Sequence, residues 1–589
     1  MKKILTAPRS TSKLPLGIPY IVGNEAAERF SFYGMKGILV IFMTKYLHLL
    51  SDNPNLSSMN NAAAIERYHD FTTWVYLTPI LGALLADTIL GKYKTIISLS
   101  LIYCLGHLAL ACMGAGGLSP EGWMLSGLAL ISIGSGGIKP CVSAHVGDQF
   151  GKSNAHLLTK VFGWFYISIN VGAFISTLLT PWLLEWYGPH WAFGIPGVLM
   201  AIATFLFWMG RKTFVHIPPQ GMGFLKETFS GVGLKAIAKL SIIFSFVAVF
   251  WALFDQTGSS WVIQAEDLNR YWLGIHWLPS QIQAINPIMI ILLVPIFNFI
   301  IYPFLDKITI LTPLRKVSIG LFIMVIGFSI IAILQQWIDQ GYEPSIGWQI
   351  IAYAILTSSE VMVSITCLEF AYTQAPKSMK SVIMAIFLMS VALGNYFTAG
   401  VNSFIQIPSH SNSSLIESEQ NIINLALKKI KGNFTQNNNI LPKTPMGNDI
   451  ISNFKDSWGS PLKYRLVNRN TFRITSLGTD QEYMTENDIV LTCNINRPST
   501  NLNLKNKPYT WREKRIIELK GENGKLEIEK KRGGIKKIEF QTATIIGGQT
   551  KLEGADYFWF FTKLMFGTAI AFVFVTIFYK PQEYLHDEE

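Results

Sequence analysis

The sequence predicts an all-α membrane protein of twelve spanning helices that also carries a small α+β domain, and three observations lead there. Apolar stretches of about 20 residues recur along the chain, the length that crosses a bilayer core. The composition agrees: of 589 residues, 50% are hydrophobic and 15% charged, with a mean hydropathy of +0.32. Residues 406–553 break the pattern, being polar, rich in Asn, Lys and Ile, and far too long for a connecting loop.

The spans read near 18–49, 66–90, 93–114, 122–143, 156–184, 191–209, 238–263, 281–304, 316–337, 347–372, 379–405 and 555–579. Residues 1–209 thus hold six spans, 210–237 a linker, 238–405 five more, 406–553 the inserted domain, and 554–589 the last span and a tail. An even number of crossings places both termini on one side. Lys and Arg in the short loops identify that side as cytoplasmic. Lys2, Lys3, Arg9, Lys13, Lys92, Lys94, Lys152, Lys160, Arg211, Lys212, Lys307, Arg315, Lys316, Lys377 and Lys380 all fall there, whereas 115–121, 185–190 and 338–346 hold none. The net charge of +11 is therefore partly topological and calls for no nucleic acid. A cleavable signal peptide is not expected, because Pro15, Pro19 and a charged stripe follow the basic start without a small-residue cleavage site. Cys104, Cys112, Cys141 and Cys367 fall in spans and Cys493 stands alone in the insert, so neither a disulfide framework nor a CxxC metal site is available. Scarce cysteine and the Ile-, Asn- and Lys-rich insert point to a bacterial inner membrane.

The insert begins as a helix, with Leu415, Ile422, Ile423, Leu425 and Leu427 among Glu417, Glu419, Lys428 and Lys429. Its end alternates apolar and polar residues over Arg515–Lys520, Lys525–Lys531 and Ile535–Thr542. Glu522-Asn523-Gly524 and Gly533-Gly534 separate these runs as turn signals, predicting a small antiparallel meander. Twelve spans leave this domain extracytoplasmic. It contains no His cluster, phosphate loop or nucleophile arrangement, and its partner is not readable; its lysines read as a solvated strand face.

Glu25, Glu28, Arg29 and Lys36 lie inside the first span. Charges in hydrocarbon cost a few kcal/mol each, so a cluster of both signs lines a bundle interior or watery cavity. At about 100° per residue, Arg29 and Lys36 lie about 40° and 20° from Glu25, on one stripe. Two plainer readings stand beside this: a surface i, i+4 pair worth a few tenths of a kcal/mol, or a span beginning after Arg29 with Lys36 snorkelling outward.

The stripe Glu25-Ala-Ala-Glu28-Arg29-Phe30 resembles the ExxER motif of the proton-dependent oligopeptide transporter family. Gly82-Ala-Leu-Leu-Ala-Asp87-Thr-Ile-Leu-Gly91-Lys-Tyr resembles its second-to-third-span signature, and Phe165-Tyr166-Ile-Ser-Ile-Asn170-Val-Gly172 its fifth-span signature. Trp251-Ala-Leu-Phe-Asp255-Gln256, Asn286-Pro287, and Glu360 with Leu368-Glu369-Phe370 also match, so the resemblance covers about 20–400 and 555–579. It implies the major facilitator fold, two six-helix halves around a cavity open alternately to either side, importing di- and tripeptides with H⁺ by symport, with no cofactor, no metal and no enzymatic reaction. Some bacterial members carry two extra helices between the halves; 210–237, with His216-Ile-Pro218-Pro219 and Gly221, has no apolar span to supply them. Tyr68-His69 is similar to animal members, which however carry their large insertion between spans nine and ten.

The resemblance also implies site residues. A peptide presents an ammonium and a carboxylate, so opposite cavity walls need opposite charge. Arg29, Lys36 and Lys139 supply positive charge, with Lys36 and Lys139 toward the carboxylate. Glu360 with Asn170 and Asn286 would hold the amine, and Tyr33, Tyr76 and Trp251 would form tolerant aromatic walls. Ser364, one turn from Glu360, marks the cavity face; Glu369 lies about 180° away. Proton coupling would fall to Glu25, Glu28, Arg29, His69, Asp255 and Glu360, with protonation of Glu25 or Glu28 freeing Arg29 and a Lys139–Glu360 contact at the cytoplasmic gate. Structural readings remain for several: an interfacial anchor for Lys139 beside Pro140, kink compensation for Asn286, a lipid belt for Trp251, an interfacial His69. Phe32, Lys36 and Phe387 stand where the family often has Tyr, Arg and Trp, and Lys cannot reproduce the bidentate Arg fork. Competing functions are a same-fold carrier of another small solute, such as nitrate or an amino acid, and a non-transporting receptor or scaffold.

Overall fold

The computed structural model describes the chain except residues 1–4, 9, 54–56, 117, 220, 222–229, 375–379, 411, 498–506, 533–537 and 580–589. The Gly533-Gly534 turn and the basic residues Lys2, Lys3, Arg9 and Lys377 lie outside the described residues.

The first half comprises α1 (Ile18–Lys45), α2 (Asn61–Leu85), α3 (Lys92–Ala111), α4 (Pro120–Gly147), α5 (Leu158–Tyr187) and α6 (Pro189–Met209). The second comprises α7 (Gly231–Phe254, extended by short turns to Asp267), α8 (Ile285–Ile296, continuing to Ile308), α9 (Pro313–Asp339), α10 (Gly347–Glu360, continuing to Thr373) and α11 (Lys380–Ile405). The last span, α15 (Ala555–Phe578), follows the inserted domain. Eleven of these stretches are long and apolar enough to cross a membrane among the described residues; α1, with its charged stripe, is the remaining one. The seventh helix begins at Gly231, seven residues before its expected start.

Each half has its own apolar core, one around Phe32, Phe42 and Phe193, the other around Phe250, Trp261 and Phe328. Without a hydrophobic drive between helices in lipid, close packing depends on small residues. Gly82 of α2 meets α4 so tightly that a Cβ would lie 2.0 Å from the Gly136 carbonyl oxygen, and a Cβ on Gly394 of α11 would lie 2.3 Å from that of Ala248 in α7. In α10 a π-turn, Val361–Ile365, follows Glu360 directly.

The insert is α+β. Beyond a short hairpin after the α7 extension, β1 (Tyr271–Trp272) and β2 (Ile275–His276), strands β3 (Ser409–His410), β4 (Lys463–Asn468), β5 (Thr471–Ser476), β6 (Ile489–Asn496) and β7 (Glu539–Gly547) form one antiparallel sheet in the order β3-β7-β6-β5-β4. Helix α12 (Ser413–Gln436) covers it with Ile423, Leu427, Ile430 and Phe434, and α13 (Thr444–Ile451) completes the core. The expected meander is wrong over 515–531: α14 (Trp511–Arg532) is helical, with one kink at Gly521, φ 59°. Its start is a capping box, in which Thr510 N donates to Glu513 Oε2 at 2.8 Å and Glu513 N to Thr510 Oγ1 at 3.4 Å. Ion pairs Arg515–Glu518 and Arg532–Glu513 hold its turns. Only the third expected strand overlaps a real one, β7.

The insert's two stems pair where they leave the bundle: Lys551 N donates to Ile405 O at 2.8 Å and Ile407 N to Gln549 O at 3.0 Å. The sheet side docks on the second half, where Asn468 Nδ2 donates to Asp267 Oδ1 at 3.0 Å and Arg469 pairs with Glu343. Helix α14 docks on the first half, with Trp511 stacked on Tyr46 and Arg515 Nε donating to Leu49 O at 2.8 Å.

Candidate functional site

Between the halves lies a cavity of about 220 Å³ lined by Tyr33 and Lys36 of α1, Tyr68 of α2, Tyr166 and Asn170 of α5, Asp255, Asn286 of α8, and Glu360 of α10. Asn286 Nδ2 donates to Glu360 Oε2 at 2.8 Å and to Thr357 Oγ1 at 3.1 Å. Asn286 thus orients a carboxylate, which the kink-compensation reading does not require.

Lys36 spans the halves, its Nζ donating to Asp255 Oδ1 at 2.8 Å. The other Asp255 oxygen accepts from Asn395 Nδ2 at 2.8 Å. His69 Nδ1 lies 2.7 Å from Asn395 Oδ1 and its Nε2 2.9 Å from Ser259 Oγ. Because the Asn395 amide donates to Asp255 and to Val391 O, its oxygen is the acceptor and His69 Nδ1 carries the hydrogen. Neutral His69 then accepts from the Ser259 hydroxyl, and protonated His69 donates to it. His69 is wholly buried, so it is not interfacial.

The stripe of α1 is buried as well. Arg29 Nε donates to Glu25 Oε1 at 2.7 Å and lies 3.3 Å from Glu28 Oε2, while Glu25 and Glu28 are 1% and 0% exposed, which removes the surface-pair and overhang readings. Lys139 Nζ is buried without a hydrogen-bond partner, 3.9 Å from the Phe32 ring centroid and 4.6 Å from that of Tyr76. Aromatic faces therefore hold this ammonium, and it is no interfacial anchor.

Several expected neighbours are not together. Lys139 makes no contact with Glu360, whose carboxylate is on Asn286, and Lys36 is committed to Asp255. Arg29, Tyr76, Lys139, Trp251 and Ser364 do not line the 220 Å³ cavity. Trp251 packs against Phe250 and Phe254, Tyr76 faces Lys139, and Ser364 lies on the π-turn, whose extra residue per turn displaces it from the α-helical position assumed for it. Asn395, Ser259 and Gln283, which donates to Gly37 O at 2.9 Å, went unnoticed in the sequence. A lone Asn inside an apolar span is a signal that could have found Asn395. Among the described residues no group of His, Cys, Asp and Glu could hold a metal.

Two six-helix halves closing on a buried cavity with both signs of charge define the major facilitator architecture. Residues 93–232 and 231–420 match the model of the POT family, and the chain belongs to that family. It is 36% identical over 403 residues to human "Solute carrier family 15 member 2", covering 60% of this chain and 54% of that protein. It is likewise 36% identical over 369 residues to "Peptide transporter family 1" of Drosophila melanogaster, covering 56% and 48%. The chain spans about half the length of the curated relatives it matches. Among solved structures it resembles the in meso crystal structure of the POT family transporter PepTSo, with 36% identity, TM-score 0.62, and 67% of this chain and 91% of that chain covered. A crystal structure of an auto-inhibited POT family peptide transporter matches at 35% identity and TM-score 0.59, over 66% and 89%.

Proposed function

We propose that the protein is a proton-coupled symporter that imports di- and tripeptides by alternating access, with both termini cytoplasmic and residues 406–553 extracytoplasmic in a cell (inner) membrane. The observation that carries this reading is the cavity itself. One wall presents Glu360 held by Asn286, the other presents Lys36, and aromatic rings lie between. A peptide ammonium suits Glu360 and its carboxylate suits Lys36; a simple anion has no use for Glu360. The printed names of the human and fly relatives support the same substrate class.

In this scheme the peptide carboxylate competes with Asp255 for Lys36. Asp255, once released, takes up H⁺ from water admitted to the cavity, and the Asn395 amide, bonded to both groups, couples that protonation to the state of His69. A protonated Asp255 no longer holds Lys36, which unties the halves. Protonation of Glu25 or Glu28 weakens the hold on Arg29 in the same manner. Proteoliposomes given an inward H⁺ gradient should accumulate labelled dialanine above its external concentration, and replacing Glu360 by Gln should abolish this. Equal internal and external dialanine at every imposed gradient would refute the proposal.

A further inference from the structure

A second cavity, of about 250 Å³, lies where the inserted sheet meets the helix bundle, and it is as roomy as the central one. Arg465 of β4 and Arg473 of β5 line one wall; Asp267 and Asp339, at the ends of the α7 extension and of α9, line the other. The two guanidiniums share a single carboxylate, Glu553, with Arg473 Nη1 at 2.6 Å and Arg465 Nε at 3.4 Å. Each guanidinium has five N–H donors, so Glu553, with the Tyr483 side chain also on Arg465, leaves donor capacity in reserve. Across the cavity, Asp267 receives Asn468, and Asp339 receives Gln335 Nε2 at 2.9 Å and Ala555 N at 2.8 Å, with lone pairs to spare. Asn402, 0% exposed and also in the lining, has a carboxamide oxygen with no partner.

The charge pattern selects a ligand class. A simple anion would meet three carboxylates against two guanidiniums, and a metal cation would meet two guanidiniums. A molecule with an ammonium at one end and a carboxylate at the other satisfies both walls. The lining comes near the proton-bearing set along the chain: Ile65 is one turn from His69, and Ser260 adjoins Ser259, which bonds His69. We propose that this cavity is an outer binding site for a small zwitterion of the dipeptide class, its carboxylate on Arg465 and Arg473 and its ammonium on Asp267, Asp339 and the Asn402 oxygen. The proposal rests on the peptide-transport reading, and the inserted domain supplies the cationic wall.

Equilibrium binding of radiolabelled dialanine to the full chain in lipid nanodiscs tests it. Two molecules should bind per chain, with one remaining in Glu360→Gln and one in Arg465→Gln, where Arg473 still serves Glu553. Loss of a charge-assisted contact should raise the KM of uptake about tenfold in Arg465→Gln. Asn402→Leu, which leaves the Arg pair intact, should weaken the outer site in the same direction and stands in if Arg465→Gln does not fold. N-acetyl-dialanine and dialanine amide, each missing one charge, should compete poorly at the outer site. A single site in the wild type, with uptake intact, overturns this proposal alone; so does equal competition by either blocked peptide. Neither binding nor uptake of dialanine in the wild type overturns the peptide-transport reading as well.

Discussion

Replacing Asp255 by Asn tests how strongly the halves are tied. The Lys36–Asp255 pair is 2.8 Å long, its side chains 8% and 10% exposed. Removing one partner of such a buried pair leaves a bare charge in a dry site, which costs roughly 3–5 kcal/mol. Here that cost falls on the conformation in which the halves touch, because Lys36 belongs to α1 and Asp255 to the second half. The separated conformation hydrates Lys36 and escapes the penalty. At about 1.4 kcal/mol per tenfold, the balance between the two should shift by on the order of 10² to 10³ or more. The assay is the labelling rate of a cysteine placed at Thr177, which lines the cavity, by an impermeant maleimide added from the side bearing the insert. Asp255→Asn should speed labelling by at least tenfold, and the double variant Lys36→Met, Asp255→Leu should return it most of the way, since an apolar pair carries no stranded charge. Labelling within twofold of wild type in the single variant would refute the reasoning.

Three further outcomes follow. Replacing His69 by Ala, or Asn395 by Leu, should abolish gradient-driven accumulation of dialanine while sparing exchange of dialanine across the membrane without a gradient; loss of both together would show a merely structural role. Asp488 of the insert is wholly enclosed, and burial pushes its carboxyl up to about 7. A raised carboxyl favours the folded state fully below its ordinary value near 3.8, and that contribution is lost as pH rises through about 7. The linkage of about 1.4 kcal/mol per pKa unit, discounted for hydration, leaves on the order of 1–3 kcal/mol. Asp488→Asn should therefore protect the insert from proteolysis at pH 8 and flatten the pH dependence; unchanged resistance at pH 8 counts against it. Gly82→Ala, whose Cβ would sit 2.0 Å from the Gly136 carbonyl oxygen, should lower the melting temperature measurably, and an unaltered melting curve contradicts the packing argument.

The spanning helices were legible because bilayer thickness sets both their length and composition, and a charged stripe on α1 announces itself against an apolar background. The insert was harder. Arg515–Lys520 and Lys525–Lys531 alternate charged and apolar residues in a way that reads as strand, and Glu522-Asn523-Gly524 between them reads as a turn, yet the Thr510–Glu513 capping box and the i, i+3 ion pair Arg515–Glu518 make the stretch helical. Thr510 followed by Glu513 three residues on is a helix-start signal that the sequence reading did not use. The true strands β4 and β5 alternate too, with Tyr464, Leu466, Phe472 and Ile474 inward, over only six residues each. At the site, side chains with charge were found and their neutral intermediaries were not. Asn395 joins His69 to Asp255 over an interval no local spacing rule reaches, because α2, α7 and α11 meet only in the folded chain. The expected contact of Lys139 with Glu360 is not formed, because Asn286 holds the carboxylate and the Phe32 and Tyr76 rings hold the lysine.

The paired stems of the insert have a consequence for the bundle. Ile405 and Lys551 sit one hydrogen bond apart, so the membrane helices on either side are joined, in effect, as if by a tight turn. The cost of closing a long loop grows only slowly with its length, and here the stems have already closed it. The stem pairing itself is made by backbone groups and does not depend on what is threaded between those two residues, although this insert also docks on both halves. The same helices could carry a different module at that point, or a few residues in its place, with no change in the register of α11 against α15.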